Sequence, residues 1–198
     1  MIATTTPTFE KQYREPAAEA GVVARMGTAV SVHWATQVDA ATIANISRRG
    51  FAAAHQNAFI GADLARYLAQ TFQPTQIAAE ISNVKNLFLL GEVAGTVVGT
   101  ARLSRTPPPA PLHLAAPVEL SRFYLLPEWV GQGIGAALML HALGTAVSTG
   151  HQNCWLGVWE GNHRAINFYR RWGFQPVGTH TLPVGQSCPI GLVMTRPL

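Results

Sequence analysis

Charged residues are scarce in this chain of 198 residues: they make up 12% of it, against roughly 25% in an average soluble protein. Lysine is nearly absent and occurs only as Lys11 and Lys85. Apolar residues account for 48% of the chain, yet no run approaches the ~18 consecutive apolar residues of a membrane-spanning helix. The high apolar content excludes an intrinsically disordered chain. The missing apolar run predicts a soluble globular protein with no membrane partner.

Cysteine is equally scarce: Cys154 and Cys188 are the only two, and neither has a histidine at metal-ligand spacing. The seven histidines form no closely spaced pair, so we expect no metal site. The first twenty residues lack the apolar segment of a secretory leader. These absences are typical of a protein of the reducing cytoplasm, the expected location. The polar composition of residues 1–20 predicts a loosely ordered tail, and we expect a single domain over residues 21–198.

Acidic residues are missing from the last 38 residues, which follow Glu160. The formal net charge is +4 and the pI is near 9.5. Arginine suits bidentate binding of phosphate and carboxylate groups. The unopposed arginines therefore form either an ordinary basic surface or part of a site for a polyanion: Arg164, Arg170, Arg171 and Arg196. Because basic residues do not form a stripe, we do not expect a nucleic acid as partner.

Hydrophobic periodicity predicts helices in the first part of the chain and mostly strands after it. The predicted helices cover residues 40–54, 63–72, 75–82, 133–147 and 164–172, and the predicted strands cover residues 30–34, 87–90, 96–103, 118–126, 155–159, 174–180 and 190–195. Asp39 is the expected N-cap of the first helix. Residues 91–95 are expected to connect a β-hairpin. The proline-rich residues 107–117 predict a stiff loop. This order of elements indicates the α+β class.

The strongest local signal is the glycine loop Val130-Gly-Gln-Gly-Ile-Gly-Ala136, between a predicted strand and a predicted helix. Glycines let backbone amides approach a phosphate, and a helix N-terminus adds partial positive charge. The spacing of Gly131, Gly133 and Ala136 also fits a dinucleotide fingerprint, with Glu160 as the ribose-binding acid. Against that alternative, four residues separate the predicted strand from the first glycine. The strand is also polar, and too little chain follows for a doubly wound sheet.

Two longer stretches resemble the GNAT superfamily of acyl-CoA-dependent N-acyltransferases. The run Val118-Glu-Leu-Ser-Arg-Phe-Tyr-Leu-Leu-Pro-Glu-Trp-Val-Gly-Gln-Gly-Ile-Gly-Ala-Ala-Leu138 resembles motif A, and the run from Leu156 to Phe174 resembles motif B. The resemblance covers residues 87–198 and implies a GNAT fold: a mixed, mostly antiparallel sheet, splayed in the middle, with helices on both faces. It implies direct transfer of an acetyl group from acetyl-CoA, as co-substrate, to a primary amine. Val130 departs from the usual Arg or Gln at the start of the loop.

The resemblance also assigns acetyl-CoA contacts at the matching positions: Phe123, Tyr124, Leu125, Gly131, Gln132, Gly133, Ile134, Gly135, Ala136, Asn162 and Tyr169. The three strand residues would pair with the pantetheine amides through their backbone. Asn162 is interpreted as a helix N-cap, as a pantetheine contact, or as both. Arg122 and four tryptophans are interpreted as structural: Trp129, Trp155, Trp159 and Trp172.

Two residues are candidates for the chemistry. Tyr169 matches the general acid that protonates the CoA thiolate. The alternative is a core tyrosine on the helix face that it shares with Phe168 and Trp172. Glu119 matches the base glutamate of histone-acetylating relatives, and the alternative base is an ordered water. In that case Glu119 is a strand carboxylate paired with Arg122 or another arginine.

The end of the chain is similar to the PaiA-type polyamine N-acetyltransferases, in the Leu-Gly-Val-Trp-Glu run that ends at Glu160 and in Gly178-Thr-His180. This similarity implies a small-molecule amine as partner, with a polyamine as one candidate. A polyamine needs carboxylates, and the candidates are Glu80, Glu119, Glu128 and Glu160. An amino acid, an aminoglycoside-like compound or a peptide N-terminus stays open. The alternative function is a non-catalytic acyl-CoA-binding module, and a homodimer is the assembly considered.

Overall fold

The computed structural model describes residues 29–181 and 186–198. In chain order the elements are β1 (Val30–Trp34), α1 (Ala40–His55), α2 (Gly61–Thr71), α3 (Pro74–Ser82), β2 (Asn86–Val93), β3 (Thr96–Ser104), β4 (Pro117–Leu125), α4 (Ile134–Ser148), β5 (Asn153–Trp159), α5 (His163–Arg171), β6 (Gln175–Thr181) and β7 (Ile190–Pro197). Each predicted helix and strand is present, with bounds shifted by a few residues. The expected polar tail, residues 1–20, lies outside the described residues.

Two local predictions differ from the structure. Strand β2 continues to Val93, so the turn to β3 is the dipeptide Ala94-Gly95, with φ of 48° and 78°. The strand is longer than predicted because Val93 packs in the core. Asp39 does not cap α1 with its side chain. Its carboxylate instead accepts hydrogen bonds from the backbone N–H and the hydroxyl of Thr36, at 2.8 and 3.0 Å, and closes a short 3-10 turn before the helix.

Seven strands form one sheet in the order β1-β2-β3-β4-β5-β7-β6. Neighbouring strands are antiparallel except for β4 and β5, which are parallel. These two strands pair only from Pro117 to Glu119 on β4 and from Asn153 to Trp155 on β5, and then diverge. The rest of β4 has no partner strand on that edge within the described chain. The sheet is therefore mixed, mostly antiparallel and splayed in the middle, which confirms the predicted fold.

Helices cover both faces of this sheet. The consecutive residues Leu89 and Leu90 of β2 point to opposite faces and belong to different core clusters. Leu90 packs with Ile43 of α1 and Ile77 of α3, whereas Leu89 belongs to the larger cluster that contains Leu138 of α4. The splayed part of the sheet therefore lies between α1 and α3 on one face and α4 on the other. No helix in the described ranges has the length and apolar content needed to cross a bilayer.

Candidate active site

A cavity of about 1200 Å³ lies where β4 and β5 diverge. We call one part of it the glycine-loop side, lined by Gly131, Gly133, Gly135, Ala136, Asn162, Arg164, Phe168 and Tyr169. We call the other part the α1 side, lined by Phe51, His55, Tyr67, Trp155, Trp159 and His180. Glu119 also lines the cavity and is the last residue of β4 that pairs with β5. The two sides therefore meet at the fork of the sheet.

The glycine loop follows a short 3-10 turn, Pro127–Trp129, and leads directly into α4. Gly131 and Gly133 have φ of 95° and 90°, a left-handed conformation that glycine adopts without steric cost. The first amides of a helix have no intrahelical acceptor, and the helix dipole adds positive potential there. No heavy atom of the described residues lies within 4 Å of a Cβ placed on Gly133, so the space above it is open. The loop therefore offers an anion site.

Two residues that the resemblance assigns to acetyl-CoA, Gln132 and Ile134, lie outside the cavity wall. Nε2 of Gln132 donates a hydrogen bond to the carbonyl oxygen of Glu128 at 2.9 Å, so this side chain turns back along the loop. Ile134 is fully buried in the core beneath α4. The side chain of Ile134 is therefore closed to a ligand, which leaves its backbone amide. The other assigned contacts line the cavity: Phe123, Tyr124, Leu125, Gly131, Gly133, Gly135, Ala136, Asn162 and Tyr169.

Arg164 places a cation beside the glycine loop. Its Nη2 lies 3.8 Å from the position of a Cβ on Gly131, and the side chain lines the cavity. The loop itself begins with Val130, so the guanidinium comes from the first turn of α5 instead. A guanidinium matches the oxygens of a phosphate group. The absence of acids after Glu160 was the only sequence signal for this residue.

Phe123, Tyr124 and Leu125 line the cavity along the unpaired edge of β4. The side chains of Phe123 and Leu125 point toward α4 and lie 3.7 and 3.6 Å from a Cβ placed on Gly135. Tyr124 points toward α1, where its Cβ lies 2.8 Å from a Cβ placed on Gly50. Because side chains alternate between the faces of a strand, the backbone groups lie in the plane of the sheet. The free edge of β4 therefore faces the splay.

Helix α5 brings two of the assigned residues to the cavity. Oδ1 of Asn162 accepts a hydrogen bond from the N–H of Ala165 at 3.1 Å, which confirms the predicted N-cap. Tyr169 lies two turns further on, and its ring makes edge contacts with Phe123 and Phe174. Burial raises the pKa of Tyr169, so its hydroxyl keeps its proton at neutral pH. The cavity thus contains a proton donor on the glycine-loop side.

Glu119 lies at the fork of the sheet, opposite Trp155 of β5. Burial raises the pKa of its carboxyl above the ordinary value. A hydrogen bond with the Thr106 side chain and the nearby positive charges of Arg102 and Arg122 act in the other direction but do not cancel the effect of burial. A carboxylate with a raised pKa is a stronger base near neutral pH. The position and the pKa both suit proton transfer.

Glu80 of α3 binds two arginines that approach from the sheet. Arg122 donates from Nη1 to Oε2 and from Nη2 to Oε1, the second hydrogen bond being 2.9 Å long. Arg102 donates from Nη1 to Oε2 at 2.9 Å. The structure therefore pairs Arg122 with Glu80 rather than with Glu119. Glu119 itself lines the cavity.

Aromatic rings form the wall of the α1 side. The ring of His55 stacks on Phe51 with centroids 4.0 Å apart and lies 6.0 Å from the ring of Trp159. Tyr67 of α2 lies 4.8 Å from Phe51. Burial lowers the pKa of His55, whose Nδ1 lies 3.0 Å from the carbonyl oxygen of Phe51, so this imidazole is neutral at neutral pH. No local pattern groups these rings, and two tryptophans interpreted as structural, Trp155 and Trp159, line the cavity.

A set of hydrogen bonds beside the α1 side, which we call the Asp63–Ser187 clasp, joins α2 to the segment before β7. Oδ2 of Asp63 accepts from the N–H of Gln186 at 2.9 Å and from the N–H and hydroxyl of Ser187 at 3.2 and 3.1 Å. The hydroxyl oxygen of Ser187 also accepts from the N–H of Ile60 at 2.9 Å. The clasp connects the helices that precede the splay with the strands that follow it.

Comparisons with known proteins agree with this geometry. Residues 42–174 match the Acetyltransferase (GNAT) family. An uncharacterized N-acetyltransferase of Mycobacterium tuberculosis is 33% identical over 160 residues, which are 81% of this chain and 98% of that protein. The crystal structure of the PaiA N-acetyltransferase from Thermoplasma acidophilum in complex with coenzyme A has a TM-score of 0.71 and 22% identity, over 85% of this chain and 99% of that chain. The ribosomal-protein-S18-alanine N-acetyltransferase from Escherichia coli has a TM-score of 0.63 and 18% identity, over 85% and 93%.

The family match covers both the glycine loop and α5, the two stretches that build the glycine-loop side. The two solved structures share the fold. A dinucleotide-binding doubly wound sheet needs several parallel neighbours, whereas β4 and β5 are the one parallel pair among the described strands, so that alternative is wrong. The alternative of a non-catalytic module is also set aside by the N-acetyltransferase relatives. The chain belongs to the GNAT acetyltransferase family and is an N-acetyltransferase.

Proposed function

We propose that this protein transfers the acetyl group of acetyl-CoA directly to the primary amine of a small molecule. The observation that carries the proposal is a single cavity that joins the glycine loop, Glu119 and Tyr169. A direct transfer needs a site that holds acetyl-CoA, a base that receives a proton from the amine, and an acid that protonates the departing thiolate. These three groups provide those three functions.

Acetyl-CoA fits the glycine-loop side by its chemistry. The pyrophosphate would lie against the amides around Gly133, where the open space supports its placement, with the guanidinium of Arg164 beside it. The pantetheine arm carries amides of its own, and the free edge of β4 from Phe123 to Leu125 offers matching backbone groups. The side-chain nitrogen of Asn162 is free to contact the same arm, because the cap uses only Oδ1.

The chemistry follows from the protonation states at the fork. The acceptor arrives as an ammonium ion, and Glu119, or a water that it holds, removes one proton. The nitrogen keeps the electron pair and forms a bond to the thioester carbon, after which the carbon–sulfur bond breaks. The thiolate takes the proton of the Tyr169 hydroxyl, which burial keeps protonated until then. Tyr169 regains a proton from the acetylated nitrogen, and the products are an amide and CoA thiol.

The charge of the cavity supports an acceptor with a single amino group. Four carboxylates are candidates for a polyamine site, but Glu80 is bound by two arginines and Glu128 by Arg49 at 3.0 Å. Glu160 is exposed and lies outside the cavity wall. Among the described residues, Glu119 is the one carboxylate that lines the cavity. The further ammonium groups of a polyamine would meet no described counter-charge there.

The walls of the α1 side support an acceptor with a flat apolar body. The rings of Phe51, Tyr67 and Trp159 offer faces and edges for an aromatic group. An arylalkylamine combines such a body with one primary amine. We therefore place this class first among the acceptors. Polyamines, implied by the PaiA-type resemblance, are the competing class.

A panel of acceptors with acetyl-CoA tests the proposed function. Release of CoA thiol is measured with phenethylamine, butylamine and spermidine, and the same reaction without an amine is the control for thioester hydrolysis. We expect phenethylamine to have the highest kcat/KM, about tenfold above spermidine, which corresponds to roughly 1.4 kcal/mol. A higher kcat/KM with spermidine would assign the polyamine class. Absence of amine-dependent thiol release with every acceptor would contradict the proposed function.

A further inference from the structure

His180 reaches the cavity through a gap that two glycines leave in neighbouring strands. It lies on β6 opposite Gly191 of β7, and Gly191 in turn lies opposite Trp159 of β5. A Cβ placed on Gly191 would lie 2.5 Å from Nε2 of His180, and a Cβ placed on Gly157 would lie 2.8 Å from the same atom. Side chains do not approach a Cβ so closely. The imidazole therefore occupies space that any other residue at these two positions would fill.

The imidazole also lies between the cavity and the outer edge of the sheet. β6 is an edge strand, and His180 is its only residue that is not exposed. On the inner side Nε2 of His180 lies against Gly157 of β5, two residues along the strand from Trp155, the partner of Glu119, and both the imidazole and the Glu119 carboxyl line the cavity. Arg102 and Arg122 face the same carboxyl but are held in ion pairs with α3, and His55 lines the α1 side from α1. His180 thus connects the fork of the sheet with solvent.

We propose that His180 carries the acceptor's proton from Glu119 to solvent, an inference that rests on the proposed function. An N–H bond of the ammonium breaks and its proton goes to the Glu119 carboxylate, while the electron pair stays on nitrogen. The imidazole of His180 accepts that proton on a ring nitrogen and restores the carboxylate. The imidazolium then releases the proton at the β6 edge. The overall reaction converts an ammonium ion and acetyl-CoA into an amide, CoA thiol and one released proton.

The variant His180→Ala tests this path, with melting temperature and acetyl-CoA Kd as checks on folding. We expect kcat/KM to fall at least about tenfold at neutral pH, since general acid–base groups contribute this much or more. The loss should shrink toward about pH 9, where more of the amine is already neutral. Added free imidazole should restore part of the rate, because it fits the space left by the side chain. An equal loss at every pH without rescue by imidazole would overturn the proposal.

Gly191→Ala tests the placement without removing the imidazole. The added methyl group would collide with Nε2 and push the ring out of the gap, so the same pH-dependent loss is expected. Gly178→Ala is the matched control, because it lies on β6 and no described heavy atom lies within 4 Å of its added Cβ. Wild-type rates in Gly191→Ala would overturn the placement.

Glu119→Gln, alone and combined with His180→Ala, tests whether the two residues act as one path. We expect the double variant to lose little more than Glu119→Gln, because residues in a single proton path are not additive. Additive losses would overturn the path through Glu119. The wild-type rate separates the two proposals: an inactive wild-type protein overturns the proposed function and this path with it. An active wild-type protein with an unaffected His180→Ala variant overturns the path alone.

Discussion

The glycine-loop side and the α1 side of the cavity are built in different ways. The first joins the backbone of the glycine loop, Val130 to Ala136, and of the neighbouring free edge of β4 to side chains of α5. The second is mainly side chains, from α1, α2, β5 and β6, which lie far apart in the chain. Left-handed φ angles set the position of the loop amides. Packing of the Phe51 and Trp159 rings on His55 sets the position of the α1 wall.

This difference explains how one fold can keep the site for its co-substrate while the site for its acceptor changes. Backbone amides recognise a phosphate through the path of the chain, so most side-chain substitutions leave that recognition in place. A wall of side chains changes its shape with each substitution while the chain path stays the same. Substitutions on the two sides of the cavity should therefore change different constants. Those in the loop should change the Kd of acetyl-CoA, and those on the α1 side should change the KM of the acceptor.

The largest effect is expected where the two sides meet, in Tyr169→Phe. Phenylalanine keeps the ring that packs on Phe123 and Phe174 and removes only the hydroxyl. We expect kcat to fall roughly 10²-fold, because the thiolate loses its proton donor. The melting temperature and the Kd of acetyl-CoA should stay unchanged. A kcat within about threefold of wild type would assign Tyr169 to the core alone.

The next effect is expected in the loop, in Gly133→Val. The valine side chain would enter the open space above the loop, so the Kd of acetyl-CoA should rise at least about tenfold, roughly 1.4 kcal/mol. Gly95→Val is the matched control. Gly95 has a comparable φ of 78° and open space around its Cβ, but it lies in the β2–β3 turn outside the cavity wall. Calorimetry should show weakened binding in the first variant alone. Equal Kd values in the two variants would contradict the loop assignment.

A smaller effect is expected for Arg164→Ala, which removes the cation beside the loop. The Kd of acetyl-CoA should rise about fivefold, roughly 1 kcal/mol, with a smaller change at high salt because exposed charges are screened. Arg170→Ala removes the same charge from the same helix outside the cavity wall and should leave the Kd unchanged. Adding Val130→Arg to Arg164→Ala should recover most of the affinity. The same Kd in Arg164→Ala and Arg170→Ala would remove Arg164 from the site.

The glycine-loop side was open to prediction because its signals are local. Glycine spacing marks the loop, Asn162 marks the start of α5, and helical periodicity turns Tyr169 inward. The glycine motif does not, however, predict which of its side chains are available to a ligand. Ile134 shares the loop but faces the core, and Gln132 bonds back to the chain. Packing, rather than the motif, decides which members of a run remain exposed to a ligand.

The α1 side was not open to prediction, because the sheet order assembles it. β6 lies beside β7 rather than beside β5, and that order brings His180 past Gly191 toward the cavity. The ring contact between His55 and Trp159 likewise joins elements about a hundred residues apart. Hydrophobic periodicity within a single helix or strand does not predict such contacts between distant elements. The same reason explains why β2 extends to Val93, whose burial depends on partners in other elements.

The Asp63–Ser187 clasp determines how the pH dependence of this enzyme can be read. Burial acts to raise the pKa of Asp63, but hydrogen bonds from Gln186 and Ser187, with Arg66 3.8 Å away, outweigh it and hold the pKa below the ordinary value. A carboxyl with a lowered pKa stabilises the fold at every pH above its ordinary range, near 4, and loses that effect only as acid protonates it. The Asp63 carboxylate of the clasp therefore keeps its charge throughout the neutral range. Changes of rate in that range therefore do not come from protonation of Asp63 in this wall.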